Sequence, residues 1–257
     1  MNNITIYGIL NVTPDSFSDG GKNFDKVVAV ATALAMLDSG ADVIDIGGMS
    51  TRPGFTDVPE EEEIRRVVPV IEALKKGVPS CKISVDTFRS GTARAALDAG
   101  ADIINDITGL MADPEMGNVI ASCGAGAVLM RDGFGDADEP WEVSLQRTVD
   151  AAKAAGISDD KIMLDPGVGF TNTREQDIEL IKAIPDMIAK WGYPVLLGVS
   201  RKRVTAEFYK KIPEASDRVG SSLALALYGI EKGAAAVRVH DVSQTYAAVN
   251  AWNKLKG

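Results

Sequence analysis

The chain has 257 residues, 46% hydrophobic and 25% charged, a size and composition that fit one barrel-sized domain over 1–257 with a large core and little disorder. Its formal net charge of -9 argues against a nucleic-acid surface or an anionic membrane as partner, while leaving room for a local basic cluster that takes small anions. Two cysteines, Cys81 and Cys123, are too few for a disulfide framework, and the opening MNNITIYGILNVTPDSF lacks a basic stretch followed by an apolar run, so a soluble cytoplasmic protein is expected.

The first apolar run is ITIYGIL. After Asp25, read as an N-cap, Val27, Val30, Leu34 and Leu37 recur at helical spacing and Gly40 ends the helix. ADVIDIGG is the second run. Pro59 and four glutamates then open a helix whose stripe is Ile64, Val67, Val68, Ile71 and Leu74, closed by Lys75, Lys76 and Gly77. Acid at the start and base at the end match the helix dipole, so the glutamates read as a solvated helix start and not a metal site. KISVDT, ADIINDI, AGAVLM, KIMLDPG, PVLLGVS and AAVRVHD follow, separated by amphipathic stretches.

These runs are rich in Val and Ile and apolar on both faces, as parallel strands covered by helices are. A weak repeat links DSGADVIDI, DAGADIINDI and EKGAAAVRVHD: a helix ends in Gly, a small residue follows, and a buried strand begins. Eight such units without a linker predict a (β/α)₈ barrel. A doubly wound open sheet is the alternative, and the strand count favours the barrel.

In such barrels the active site lies at the C-terminal ends of the strands. Those ends offer Asn11, Asp45, Asp86, Asn105, Arg131 with Asp132, Asp165, Ser200-Arg201-Lys202, and Arg238 with His240. An Asp after a strand often caps the next helix, and Asp86 and Asp165 are each open to that explanation. It weakens when nearly every strand ends this way. A single histidine excludes His-based zinc sites, and no G-x-S-x-G, P-loop or complete G-x-G-x-x-G occurs. A split site remains. Asp86, Asn105 and Asp165 suit the donor-rich edge of a heterocycle, and Arg52, Arg238 and His240, with Lys202, suit an anion. Loops 12–24 and 49–59, rich in Gly, Pro, Asp and Ser, are expected to lie above the mouth as lids.

At these residues the chain closely resembles bacterial dihydropteroate synthase. The resemblance rests on GILNVTPDSFSDGG, GGMSTRPG, SVDT, NDI, DPGVGF, GVSRKR and RVHDV, seven motifs in order at seven strand ends. It implies a transferase joining 6-hydroxymethyl-7,8-dihydropterin pyrophosphate to p-aminobenzoate with release of pyrophosphate. It also implies that Asp86, Asn105, Asp165 and Lys202 hold the pterin, with Asn11 on a pyrophosphate-bound Mg²⁺. Arg52, Arg238 and His240 contact the leaving group, Thr51, Pro53 and Phe170 line the p-aminobenzoate pocket, and Asp19 orders the lids. A homodimer through helices late in the chain is implied as well. The family's pattern breaks at four places. Arg131 stands where His is usual, Asn172 where Lys is usual, Arg203 where Ser or Thr approaches the p-aminobenzoate carboxylate, and Met49 where a small or acidic residue is common. Arg203 remains able to bind that carboxylate. A methyltetrahydrofolate–corrinoid methyltransferase and a non-catalytic pterin-binding paralogue are the alternatives.

Overall fold

The Val- and Ile-rich runs form eight strands in a computed structural model that describes residues 4–13, 21–49, 58–136, 138–170 and 172–256. The strands are β1 (Thr5–Asn11), β2 (Val43–Gly47), β3 (Lys82–Asp86), β4 (Ile103–Asp106), β5 (Gly126–Met130), β6 (Ile162–Asp165), β7 (Leu196–Leu197) and β8 (Ala236–Val239). Between them run α1 (Gly21–Asp38), α2 (Glu60–Gly77), α3 (Ser90–Asp98), α4 (Met116–Cys123) and α5 (Trp141–Ala154). They continue with α6 (Arg174–Lys182), α7 (Ile184–Trp191), α8 (Arg203–Ala206), α9 (Val219–Glu231) and α10 (Val242–Lys256).

All strand pairs are parallel, in the order β6-β5-β4-β3-β2-β1-β8-β7. A parallel bridge between Leu164 and Val195, with Leu164 N–H donating to Pro194 O at 2.9 Å, joins β6 to the approach of β7 and closes the ring. The architecture is the (β/α)₈ barrel that the run count predicts. One set of buried side chains, including Ile44, Ile46, Ile83, Ile104 and Leu129, faces the helices. A smaller set, Tyr7, Val43, Val128, Leu196 and Ala236, packs with Ile103 and Met163 as a plug inside the barrel. Among the described residues no helix is long and apolar enough to cross a membrane.

The repeated helix-to-strand plan has a common geometry. Gly40, Gly100 and Gly233 adopt φ of +101°, +109° and +104°, a left-handed turn that costs glycine little. In each case the next residue's N–H reaches back into the helix, as Ala41 does to Met36 O and Ala101 to Ala96 O, both at 2.9 Å.

Three expectations about helices are corrected. α1 begins at Gly21, so Asp25 lies within it and is not its N-cap, and residues 21–24 belong to the helix and not to a lid. Its inward face is Ala29 and Ala33, with Val30, Met36 and Leu37 partly buried, whereas Val27 is 65% exposed. Small residues let this helix lie close to the barrel. α2 does begin with its glutamates, but Glu63 is fully buried and not solvated.

Candidate active site

Successive side chains along a strand alternate between faces, so the residues two positions beyond the barrel plug also point inward. Beyond Val43, Ser84, Ile103, Met163, Leu196 and Ala236 these are Asp45, Asp86, Asn105, Asp165, Gly198 and Arg238. Residues far apart along the chain thus line the barrel above the plug, with Asp45 one inward position below Asp86 of the neighbouring strand. Asp45, Asp86, Asn105 and Asp165 are buried there, at 0%, 6%, 4% and 5% exposure.

Arg238 divides its guanidinium between two carboxylates. Its Nε donates to Asp45 Oδ2 at 2.6 Å, and a terminal nitrogen donates to Asp86 Oδ2 at 2.7 Å. Asn105 Nδ2 lies 3.4 Å from the same Asp45 oxygen. Burial raises the Asp86 carboxyl well above the ordinary carboxylate range, while Arg238 pulls it down. Burial also works against the charge of Arg238, yet Asp45 and Asp86 make it hold its proton more firmly than an ordinary arginine. Neither aspartate is a helix cap: Asp86 faces Arg238, and α3 starts without a side-chain cap.

Asp165 closes a turn with one oxygen, Oδ1 accepting from Gly167 N–H at 2.7 Å. Its other oxygen faces the mouth. The point where a Cβ on Gly198 would stand is 3.7 Å from both Asp165 Oδ2 and Lys202 Nζ, and 3.9 Å from Arg238 Cβ. Burial raises Asp165, opposed by Lys202. Burial likewise pushes the Lys202 ammonium down to about 8, opposed by Asp165. Lys202 Nζ donates to Val168 O at 2.6 Å and sits 4.7 Å from the centre of the Phe170 ring. A lysine poised between a carboxylate, a carbonyl and an aromatic face suits a polar heterocycle beside a planar ring.

The residues that depart from the family pattern support the β6–α6 loop. Asn172 Nδ2 donates to Gly167 O and to Asp177 Oδ1, each at 2.9 Å. The buried Asp177 also accepts from Gly169 N–H at 2.6 Å. Arg131 is 5% exposed, and its Cγ lies 2.7 Å from where a Cβ on Gly167 would stand. Burial weakens its hold on its proton, and Glu139, Asp132 and Asp177 strengthen it. Met49 is buried at the end of β2, and Arg203 is exposed at the start of α8.

His240 follows Arg238 by two residues, just past the end of β8. Its Nδ1 lies 3.0 Å from Ser200 Oγ, and its backbone N–H donates to the same oxygen at 3.1 Å. Arg201 does not join the cationic cluster expected at the mouth. Asp241 takes both arms of its guanidinium, at 2.6 and 3.1 Å, and its backbone sits at φ +60° in the turn that delivers Lys202. Asp132 is a turn former, accepting from Phe134 N–H at 3.0 Å. Asn11 Oδ1 and Asp86 Cβ flank Gly47, at 3.6 and 3.8 Å from where its Cβ would stand. Asp19, Thr51, Arg52 and Pro53 lie outside the described residues.

Asp45 and Glu63 are buried acids to which the sequence alone gives no role. Asp45 interrupts an otherwise apolar five-residue strand, VIDIG, and that interruption is itself a signal in a strand buried on both faces. Glu63 pairs with Arg89 at 2.9 Å and accepts from Thr92 Oγ1 at 3.2 Å, and only its helical phase beside Val67 and Val70 marks it as inward.

Comparison with known proteins shows the family. The family described as pterin binding enzyme matches residues 7–240. Dihydropteroate synthase of Staphylococcus haemolyticus is 45% identical over 246 residues, covering 94% of this chain and 91% of that protein. The chain belongs to the dihydropteroate synthase family. Among solved members of the family, the Xanthomonas albilineans synthase with 4-aminobenzoic acid superposes with a TM-score of 0.93 at 40% identity, covering 100% of this chain and 94% of the other. The same synthase in complex with 7,8-dihydropteroate gives a TM-score of 0.89 at 37% identity, covering 100% and 95%.

Proposed function

We infer that the chain condenses 6-hydroxymethyl-7,8-dihydropterin pyrophosphate with p-aminobenzoate, releasing pyrophosphate and giving 7,8-dihydropteroate. The observation that carries this is the convergence of Asp86, Asn105 and Asp165 with Lys202 and Arg238 in one layer at the barrel mouth. Family membership fixes the reaction class as group transfer. A corrinoid-dependent methyltransferase has no diphosphate to hold, so Lys202, Arg238 and His240 around one opening favour the synthase.

The chemistry suits these groups. The C–O bond between the pterin methylene and the diphosphate breaks, with the electron pair leaving on oxygen. The arylamine nitrogen forms the new C–N bond and gives up a proton. Positive charge grows on the methylene and negative charge on the leaving group, so catalysis calls for carboxylates near one and cations near the other. Asp86 supplies the first, and Arg238 and His240, with Arg52, supply the second. The amine is already nucleophilic, and positioning provides much of the rate.

In this reading Asp86, Asn105 and Asp165 accept from or donate to the pterin edge, with Lys202 beside it. Phe170, Thr51, Pro53 and Arg203 border the arylamine, and Asp19 orders the lid. A magnesium ion fits the donor set. Mg²⁺ keeps several waters and takes one or two protein oxygens together with substrate phosphates. Asn11 offers one such oxygen beside Asp86, and no cage of three or more metal-binding side chains occurs among the described residues. When bound with the diphosphate, the ion neutralises charge on the leaving group. A homodimer in the cytoplasm completes the proposal. The exposed Phe208, Ile212 and Tyr228 near α8 and α9 support the dimer, and the free Cys81 and Cys123 suit a reducing compartment.

A coupled pyrophosphate-release assay tests the reaction. Release that depends on p-aminobenzoate and matches dihydropteroate formed is the expected result. Absence of release, or release indifferent to the arylamine, rejects it.

A further inference from the structure

We propose that Asp45 is a positioning residue that keeps Asp86 open to the pterin by taking one arm of the Arg238 guanidinium. The proposal rests on the synthase reading above and concerns a residue to which that reading assigns no substrate contact: Asp45 is fully buried, one inward position below Asp86 on the neighbouring strand.

An arginine beside a single carboxylate tends to bind it through two parallel N–H···O contacts. Such a pairing between Arg238 and Asp86 would consume both Asp86 oxygens. The structure shows a divided arrangement instead. Arg238 Nε goes to Asp45 at 2.6 Å and one terminal nitrogen goes to Asp86 Oδ2 at 2.7 Å. Asp86 Oδ1 is buried without a hydrogen-bond partner. A buried carboxylate oxygen left in this state is costly unless a ligand or solvent completes it. Asp45 therefore sets the angle of the arginine and reserves the second oxygen of its neighbour.

The same Asp45 oxygen lies 3.4 Å from Asn105 Nδ2, which orients the carboxamide so that its oxygen faces the other way. One buried acid thus fixes two pterin groups and one cation for the leaving group. The register makes this possible: Asp45 pairs with Ser84 and Asn105 with Asp86, so Asp45 sits one inward position below the working carboxylate on the neighbouring strand.

Asp45→Asn keeps the shape and removes the charge that holds Arg238 Nε. The expected result is a pterin-pyrophosphate KM raised about tenfold or more with a lower kcat, an unchanged KM for p-aminobenzoate, and a Tm that is not lowered. A double-mutant cycle with Arg238→Met gives the second readout. If Asp45 acts through Arg238, adding Asp45→Asn to Arg238→Met has little further effect. Additive losses, or a rise in both KM values alongside a lowered Tm, overturn the proposal, as does an Asp45→Asn enzyme with unaltered kinetics. Should the wild-type chain release no pyrophosphate, the catalytic reading fails separately. The cycle is then scored by calorimetric affinity for the pterin pyrophosphate, and a crystal structure of Asp45→Asn decides the geometry: Arg238 is expected on both Asp86 oxygens, and an unmoved Arg238 refutes the idea.

Discussion

Lys202 Nζ donates to the carbonyl of Val168 at 2.6 Å, tying the turn after β7 to the loop after β6. The loop approaches closely because Gly169 has no side chain. A Cβ there would stand 2.7 Å from Lys202 Cδ, and the backbone is at φ +82°. The position of the ammonium and the shape of the loop are therefore one structural fact.

Gly169→Ala is predicted to strain the backbone and push the lysine aside. A stability loss of about 1–3 kcal/mol is expected from the left-handed conformation alone. Affinity for the pterin should fall further than that loss explains by reducing the folded fraction. Urea unfolding and calorimetry on the same preparation separate the two effects.

The pH profile follows from the same lysine. Burial lowers its proton affinity to about 8, so the ammonium is charged below that pH and neutral above it. The rate constant kcat/KM for the pterin, which reports the free enzyme, should decline as pH rises through about 8. Lys202→Arg keeps its charge throughout, so its profile should lose this alkaline limb while running at a lower plateau. An identical limb in the variant assigns the titration elsewhere.

The elements legible in the sequence were those governed by burial on both faces. Each Val- and Ile-rich run became a strand, and the Gly-ended repeat marked real helix ends. Because strand direction and alternation are strict, the ends of the strands also name Asp86, Asn105, Asp165, Lys202 and Arg238 as neighbours. Helix phase was harder. In α1 the large residues Val27 and Leu34 drew attention, yet Ala29 and Ala33 pack inward because a helix lying close to the barrel needs small side chains. Charge misleads for a related reason: Glu63 belongs to an acidic run but faces the core with Arg89, and Arg201 belongs to a basic run but is taken by Asp241. Pairings between distant residues decide such cases, and local composition does not carry them.

Glu63 gives a stability prediction. Its carboxylate is buried against the half-buried Arg89, and Glu63→Ala removes one member of the pair. Breaking a buried pair typically costs about 3–5 kcal/mol, and the partial exposure of Arg89 places this case near about 3 kcal/mol. A urea midpoint unchanged from wild type contradicts it.

Arg203 addresses the second substrate. It is exposed at the start of α8, immediately after the lysine that faces Phe170. Arg203→Ala is expected to raise KM for p-aminobenzoate several-fold with pterin affinity unaffected. Steady-state kinetics with each substrate varied in turn measures this, and equal effects on both substrates would place Arg203 outside the arylamine pocket.

The most direct measurement is calorimetric titration of the pterin pyrophosphate into the wild-type chain and into Asp165→Asn. Asp165 has no covalent or metal-binding task in this account, so its replacement should act on pterin recognition alone. One site per chain is predicted for the wild type, with affinity reduced by about 1.5–3 kcal/mol in the variant, the range for a hydrogen bond to a charged group. No binding to the wild type, or equal affinity in both proteins, would contradict a pterin site built from these strand ends.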